Sequence, residues 1–352
     1  MTLTVPEVMG AGPPPRNDAT AKWRRRAFQG VIAVVVLVTL VWAAFDLGAW
    51  RTHPPLTGIR LLTTGPDGLA WVDVDTGTRT SVDAAPDANW SNAVVVGDSV
   101  VVRYPSSDSD FAAQVVAYRD GEEPHDVGEA DKVIPQSGQA LWLVVDGDAG
   151  VSGGAALTTS FGEWRSRVFS IPPRLDVVGA VNDSLVVARG ETRYRRLLMW
   201  DVQGGDVVRR YGLVVGVRQV AHGRALVTTG CLISGCTSAL VNLRTGRSSD
   251  VKIPVGYFES AAPVVTPDGV ALVVADDRGR AHLAAGSPQH LEIVDTPGVD
   301  LTRGVQPLST SGGWLILAGA GGVVSAWREG LDPQLIPSVH LTSDERVIGV
   351  SG

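Results

Sequence analysis

The most recognisable chemical pattern in this sequence is Gly150-Val-Ser152-Gly-Gly154, which matches the G-x-S-x-G pattern of hydrolase nucleophiles. In that motif a strand precedes the serine and a helix follows it, so that the turn aims the hydroxyl at an oxyanion hole. Here the serine lies in a glycine-rich stretch without helical periodicity. We therefore interpret Ser152 as a loop residue and predict no catalytic residue from this motif.

Two acidic stretches resemble the beginning of a calcium-binding loop, Asp73-Val-Asp75-Thr-Gly77 and Asp146-Gly-Asp148-Ala-Gly150. Calcium takes about six to eight oxygen ligands, and the complete loop continues to a distal glutamate. Neither stretch continues in that way, and both have the composition of ordinary turns. The 6 histidines are scattered without ligand spacing. The sequence therefore predicts no metal site and no cofactor.

The 2 cysteines of the chain are Cys231 and Cys236, and they flank a turn that contains glycine. Outside the cytoplasm, such a closely spaced pair indicates a local disulfide. Two free thiols are the alternative. A structural zinc site would need about four ligands, and no histidine lies beside this pair. We predict the disulfide Cys231–Cys236.

The elements that would hold these residues are short apolar strands separated by polar turns. From Thr57 onward no stretch has convincing helical periodicity, whereas strand–turn–strand patterns recur. Their turn glycines are Gly77, Gly121, Gly205, Gly246, Gly286 and Gly330. Positions 77 and 330 are separated by six intervals of about 42 residues if one further turn lies near residue 163. Blades of a β-propeller contain roughly 40–45 residues, so the seven turns predict seven blades.

The last apolar run of the chain, Arg346–Val350, is a spare strand in this scheme. Blade 1 has only three strands of its own, Ile59–Thr64, Leu69–Val74 and Thr78–Val82. Pairing of the spare strand with blade 1 would close the ring and protect the sheet edges. We predict an all-β fold, a seven-bladed β-propeller closed by the C-terminal strand. A pair of β-sandwiches is the alternative, because even strand spacing fits both architectures.

Two short motifs connect the chain to a known superfamily. Gly313–Trp327 resembles the hairpin between the second and third strands of a quinoprotein-type repeat, and Trp200-Asp201 is a WD dipeptide without the upstream Gly-His. The chain thus resembles the β-propeller superfamily, especially its quinoprotein-type and WD-repeat members. The resemblance is to a membrane-anchored propeller protein of bacteria, and more narrowly of actinobacteria. The resemblance implies a fold for residues 57–352. It carries over no site residue, because the docking tryptophan of quinoprotein blades has no fixed position here.

We label the strands of each blade a to d from the inside outward, and the loops between strands b and c differ most among blades. The long ones are Pro105–Phe111, Asp146–Gly154, Gly190–Arg195 and Cys231–Cys236. Long, unequal loops on a regular scaffold are where binding usually resides. They would assemble a mixed-charge rim, suited to a polar, glycan or protein ligand, from Asp108, Asp110, Asp146, Asp148, Arg193, Tyr194 and Arg195.

An apolar run from Val31 to Ala44 contains one polar residue, Thr39, and follows Arg24-Arg-Arg26. A helix of roughly 20 apolar residues spans a bilayer, and flanking positive charge stays on the cytoplasmic side. A cleaved signal peptide and a buried soluble helix are the alternatives. The predicted organisation is a disordered cytoplasmic tail at 1–26, a transmembrane anchor at 27–50, a linker at 51–56 and an extracytoplasmic propeller at 57–352.

Charge narrows the range of partners. Beyond residue 50 the chain has 25 basic and 34 acidic residues, a net charge of −9, which repels nucleic-acid backbones. Because no catalytic residue is identified, we predict a non-catalytic binding or scaffold module on the outer face of the cytoplasmic membrane, for a protein, peptide or envelope glycan. The alternatives are an extracytoplasmic propeller enzyme (a quinone-dependent dehydrogenase or a glycan hydrolase or lyase) and a purely structural partner of a membrane complex.

Overall fold

A computed structural model describes residues 56–82, 92–104, 112–136, 138–147, 151–162, 165–190, 194–232, 235–261, 263–296, 301, 307–310, 312–318 and 322–352. The predicted tail, the predicted transmembrane anchor and the linker as far as residue 55 lie outside the described residues. Over the ranges given above, no helix has the length and apolar character that crossing a membrane requires. Leu56, at the end of the predicted linker, packs on the hydrophobic core of the fold.

The fold consists of β-strands, which are numbered in chain order. They are β1 (Arg60–Gly65), β2 (Gly68–Asp73), β3 (Arg79–Val82), β4 (Ala93–Val96), β5 (Ser99–Tyr104), β6 (Ala113–Tyr118), β7 (His125–Ala130), β8 (Lys132–Pro135), β9 (Ala140–Val145), β10 (Gly153–Thr159), β11 (Phe169–Ile171), β12 (Leu175–Val181), β13 (Ser184–Arg189), β14 (Arg195–Asp201), β15 (Asp206–Val214), β16 (Gly216–Ala221), β17 (Arg224–Leu232), β18 (Gly235–Asn242), β19 (Ser248–Asp250), β20 (Phe258–Glu259), β21 (Val264–Val265), β22 (Val270–Ala275), β23 (Ala281–Ser287), β24 (His290–Val294), β25 (Pro307–Ser309), β26 (Leu315–Ala318), β27 (Val324–Trp327), β28 (Gln334–Leu335) and β29 (Arg346–Ser351).

These strands form seven antiparallel sheets, which are the blades of a β-propeller. Blades 2, 3, 4, 5 and 7 are β4–β7, β8–β11, β12–β15, β16–β19 and β25–β28. In blade 6 the inner strand is split, since β20 and β21 both pair with β22. In blade 1 the C-terminal strand β29 pairs with β1 and so takes the place of strand a. The predicted all-β fold with seven blades is confirmed, and the last strand of the chain completes the first sheet.

Hydrophobic packing joins each blade to the next. Trp71 of blade 1 packs with Val100 and Val102 of blade 2, and equivalent clusters join every consecutive pair of blades. The ring closes in the same way, because Trp314 of blade 7 shares a cluster with Leu61 of blade 1. Burial of these apolar surfaces between blades, at roughly 25 cal/mol per Å², is the main force that holds the ring together.

The position of a strand within its blade explains its composition. Strand b is covered by a neighbouring blade on both faces, and Leu141–Val144 of β9 and Val270–Val274 of β22 are accordingly apolar and buried at every position. The outermost strand β3 instead alternates exposed and half-buried residues. The continuous apolar runs of the sequence are therefore the second strands.

Three of the turns between strands c and d have the same capping chemistry. The side chain of Asp73, Asp201 or Asn242 accepts a hydrogen bond from a backbone N–H of the turn, and a glycine four residues later takes positive φ. The residue after the cap, Val74, Val202 or Leu243, is buried. The turn at Asp73-Val-Asp75 is thus an Asx turn, and its carboxylate is occupied by Thr76.

One predicted turn glycine has a different role. Gly286 lies inside β23, and the chain turns after Ser287, with Ser287 and His290 paired across the hairpin. A Cβ at position 286 would lie 2.7 Å from the carbonyl oxygen of His290. Glycine therefore permits a close approach of two strands at this position. In the sequence such a glycine cannot be distinguished from a turn glycine.

The two ends of the ring carry different connections. We call the end with the a–b turns the turn face; its members include Gly97-Asp98, Asn182-Asp183 and His222-Gly223. We call the opposite end, with the b–c loops such as Asp146–Gly154 and Gly190–Arg195, the loop face.

Candidate functional site

The serine of the G-x-S-x-G pattern lies on the loop face. Ser152 is exposed and comes directly before β10, so a strand follows it instead of a helix. Gly147 and Gly153 approach each other closely in this loop, because a Cβ on Gly147 would lie 2.5 Å from the backbone nitrogen of Gly153. Gly153 of the pattern therefore permits a compact loop, in agreement with the interpretation of Ser152 as a loop residue.

Three of the seven residues of the predicted mixed-charge rim lie within the described ranges. Asp108, Asp110, Asp148 and Arg193 lie outside the described residues, whereas Asp146, Tyr194 and Arg195 lie on the loop face between blades 3 and 4. Tyr194 is 49% exposed. The binding role of these residues stays a prediction.

Asp146 and Arg195 belong to one ion-pair network through two residues that sequence reasoning missed. The ammonium group of Lys132 lies 3.0 Å from Asp146 Oδ1 and 2.8 Å from Asp176 Oδ1. Arg195 Nη1 donates to Asp176 Oδ2 at 2.7 Å. Burial lowers the pKa of Lys132, but the hydrogen bonds to Asp146 and Asp176 outweigh it, so that the pKa is raised. The network joins blade 3 to blade 4, and its four charges neutralise one another.

No metal centre emerges from the acidic residues. Among the residues that the structure describes, no group of three or more His, Cys, Asp or Glu side chains is placed to hold an ion. The carboxylate of Asp73 is held by Thr76, and the hydrogen bond from the Thr76 backbone is the main cause that lowers the pKa of Asp73. Asp146 is paired with Lys132.

The predicted disulfide is present. Cys231 and Cys236 are bonded to each other and occupy directly opposite positions on β17 and β18. The hairpin itself therefore brings the two side chains together on the loop face. The prediction from spacing is confirmed.

The turn face contains a cavity of about 910 Å³ where the inner strands of blades 3, 4 and 5 end. Its apolar lining includes Ile134, Val178 and Val220, one from each of these blades. Polar groups come from Gln136, Asn182, His222, Ser309, Thr310 and Arg244. Mostly apolar walls with a few convergent polar groups are typical of small-molecule sites, whose volumes are ~300–1,000 Å³.

Two of these polar groups, from the blades on either side of blade 6, lie close to each other. His222 Nε2 lies 3.5 Å from Ser309 Oγ, although the two residues are 87 positions apart in the chain. Ser309 is the last residue of β25 in blade 7, and His222 lies in the two-residue turn between β16 and β17 in blade 5. A histidine that faces a serine hydroxyl is the basic arrangement of nucleophilic catalysis, and such distances are often long in unliganded enzymes.

The backbone holds His222 in an uncommon conformation. His222 has φ of 50° and Gly223 has φ of 68°, as the type I′ hairpin turn requires. Asparagine and glycine are the usual residues of this turn, and a non-glycine residue with positive φ is uncommon. Such outliers cluster at functional sites, where the surrounding structure fixes a side chain in place.

The electrostatic environment keeps His222 neutral. Partial desolvation and the nearby charge of Arg224 lower the pKa of His222 below its ordinary value of 6.5, whereas the carboxylate of Asp268 opposes the shift. At pH 7 the imidazole is therefore unprotonated and can accept a proton. Sequence reasoning missed both His222 and Ser309, because neither lies in a motif; the one local signal was a His-Gly pair at a hairpin turn.

Comparisons with known proteins concern the fold. No protein-family model matches the sequence, and no curated protein is significantly similar to it. The propeller domain of the trilobed protease from Pyrococcus furiosus is 10% identical with a TM-score of 0.48, and the match covers 72% of this chain and 84% of that chain. An acylaminoacyl peptidase from Pyrococcus horikoshii is 9% identical with a TM-score of 0.47, and the match covers 69% and 45%. The periplasmic gluconolactonase of Pseudomonas aeruginosa is 13% identical with a TM-score of 0.46, and the match covers 83% and 97%.

These neighbours correct one prediction. The propeller structures named here are mainly hydrolases, namely acylaminoacyl peptidases, prolyl endopeptidases and a gluconolactonase, and they stand against the prediction of a non-catalytic binding or scaffold module. The chain spans less than half the length of the peptidases, with 45% and 46% of the two acylaminoacyl peptidases covered. At such low identity the likeness concerns the fold, and an activity for this chain has to be argued from its own residues.

Proposed function

We propose that this protein is a hydrolase of carboxylic esters or lactones whose active site is the cavity on the turn face. The observation that carries the proposal is the approach of His222 Nε2 to Ser309 Oγ, at 3.5 Å, on the wall of that cavity. Ser309 would be the nucleophile and His222 the general base.

The chemistry needs only water as co-reactant. The imidazole of His222 accepts the hydroxyl proton while Ser309 Oγ attacks the carbonyl carbon, and the imidazolium then returns the proton to the leaving alkoxide as the ester C–O bond breaks. Water next attacks the acyl-serine, His222 accepts its proton, and Ser309 Oγ leaves as the hydroxyl. The products are an alcohol and a carboxylic acid; from a lactone they are one hydroxy acid.

The lowered pKa of His222 supports this assignment, because a general base must be unprotonated at the working pH. The apolar walls of the cavity would receive the acyl or alcohol part of the substrate.

Two serine variants test the proposal on the full-length chain with 4-nitrophenyl acetate as substrate. Ser309→Ala is expected to lower kcat/KM by at least about 10²-fold with an unchanged melting temperature, because the hydroxyl is removed from a cavity wall without loss of packing. Ser152→Ala, the serine of the sequence motif on the loop face, is the matched control and should retain full activity. Loss of activity in Ser152→Ala with activity retained in Ser309→Ala would reject the turn-face site.

We also propose that the hydrolase works outside the cytoplasm, attached to the membrane through the anchor at residues 27–50. The apolar run and the preceding arginines support this location. A disulfide persists in an oxidising compartment, which is consistent with it. A reporter that is active only outside the cytoplasm should be active when it is fused after Gly352. An active fusion to a strictly cytoplasmic reporter would contradict the orientation.

A further inference from the structure

We infer that the substrate of this site carries a carboxylate group and that Arg244 binds it. The inference rests on the proposed hydrolase function and names the class of substrate: a monoester of a dicarboxylic acid, or a lactone with a free carboxylate. Arg244 lines the same cavity as His222 and Ser309.

Arg244 is placed beside the base by a direct backbone contact. It lies in the turn between β18 and β19, and its neighbour Leu243 donates a backbone hydrogen bond to the carbonyl oxygen of Gly223 at 3.0 Å. Gly223 is the residue next to His222. Leu243 is fully buried and anchors the turn in the core between blades 4 and 5. The core therefore holds the backbone of Arg244 next to the turn that carries His222, while the side chain of Arg244 is exposed.

The backbone polar groups of Leu243 and Arg244 are all occupied. The N–H of Arg244 donates to Asn242 Oδ1 at 3.0 Å, and its carbonyl oxygen accepts from the guanidinium of Arg209. The hydroxyl of Tyr211 donates to the carbonyl oxygen of Leu243 at 2.6 Å. A binding residue on a preorganised backbone loses little conformational freedom when its ligand arrives.

Within the described ranges the guanidinium of Arg244 forms no salt bridge, unlike Lys132 and Arg195 of the loop-face network. The described lining of the cavity contains no aspartate or glutamate. Asp268 acts on His222 electrostatically but is not one of the lining residues. An unpaired arginine in a cavity of an otherwise acidic ring would attract a carboxylate, which its guanidinium can bind through two parallel hydrogen bonds.

The experiment compares a neutral and an anionic ester on the full-length chain: 4-nitrophenyl acetate and 4-nitrophenyl hemisuccinate. The unmodified protein should prefer the hemisuccinate. Arg244→Gln should raise KM for the hemisuccinate by about 10- to 100-fold, the loss expected for a charged hydrogen-bonded pair, and should remove the preference for the hemisuccinate over the acetate. Arg247→Gln is the control, because Arg247 lies in the same turn but does not line the cavity. Equal effects of Arg244→Gln on both esters would overturn the inference.

A binding measurement separates failure of the inference from failure of the proposed function. Titration calorimetry with succinate, which needs no turnover, should show binding that Arg244→Gln weakens by about tenfold or more and that Arg247→Gln retains. Succinate binding that depends on Arg244, without hydrolysis of either ester, would reject the hydrolase and support the anion site. Hydrolysis of both esters at equal rates, without succinate binding, would support the hydrolase and reject the anion site.

Discussion

The two faces of the ring use charged and polar residues in opposite ways. On the loop face, Lys132, Asp146, Asp176 and Arg195 neutralise one another and link two blades. On the turn face, Arg244 has no carboxylate partner in the described chain, and His222 is held unprotonated opposite Ser309. Charged groups that already neutralise one another have little capacity to bind a ligand. Unpaired groups on a rigid frame can bind one. This difference shows that the sequence reveals charged residues without revealing whether partners already neutralise them.

Removal of the closing strand should destroy both faces together. Deletion of 346–352 removes β29, the inner strand of blade 1, and exposes the edge of β1 and the cluster between blades 7 and 1. We expect insoluble protein or a loss of stability far above the ~1 kcal/mol of a typical substitution. Arg346→Ala, at an exposed position of the same strand, is the control and should be nearly neutral. A truncated chain with an unchanged melting temperature would show that the ring does not depend on β29.

Replacement of the base should affect the turn face alone. His222→Asn removes the imidazole and introduces the residue that a type I′ turn prefers, so activity should fall by about 10²- to 10⁴-fold while stability stays the same or increases. Ester hydrolysis measures the loss of activity, and thermal unfolding of the same preparation measures the stability. Retention of activity in this variant would end the assignment of His222 as the base.

The pH dependence of kcat/KM sharpens the same assignment. The active form has a neutral His222, whose pKa is lowered below 6.5. Activity should therefore be complete at pH 7 and fall only as the pH drops through that lowered pKa. The acid limb should disappear from the residual activity of His222→Asn. A midpoint well above pH 6.5 would contradict the environment described for the imidazole.

Much of the architecture could be predicted from the sequence because it is encoded locally. Turn glycines such as Gly77, Gly205 and Gly246 recur at a nearly constant spacing, and the second strands of the blades repeat a buried apolar run. The failure at Gly286 has a local cause too, since a glycine needed for close strand approach cannot be told from a turn glycine by spacing.

The site could not be predicted in the same way. Ser309 and His222 come from blades 7 and 5 and are 87 positions apart in the chain, and the arrangement of the blades in the ring brings the two side chains to 3.5 Å from each other. The pairing of charges on the loop face was hidden for a related reason. Asp146 and Arg195 could be recognised in the sequence as charged loop residues. Their partners Lys132 and Asp176 lie on the inner strands of two neighbouring blades. The sequence therefore indicated a charged rim but not that these partners neutralise its charges.

Loss of the disulfide should have a moderate effect that is confined to the loop face. Cys231→Ser opens a loop whose ends are 5 residues apart, and β17 and β18 already hold these positions opposite each other. We expect a stability loss of no more than about 2 kcal/mol, at the lower end of the usual range for disulfides. Chemical denaturation gives this value, and ester hydrolysis should be unchanged because the turn face lies at the other end of the ring. A large loss of activity would show that the two faces are coupled.

The smallest effect should come from the ion-pair network, and it should move stability without moving activity. Lys132→Met keeps most of the side-chain volume and removes the charge that joins Asp146 to Asp176. The side chain of Lys132 is 36% exposed, so solvent screens the pairs, and we expect a loss of about 1 kcal/mol. The folded-state pKa of Lys132 is raised above 10.5, so its stabilisation should be complete below pH 10.5 and be lost as the pH rises through the higher folded value. Unfolding titrations of the unmodified protein and the variant should therefore show a smaller stability difference at pH 11 than at pH 7. A variant that loses ester hydrolysis at pH 7 would instead place the paired charges of the loop face in the function of the molecule and remove the contrast between the two faces.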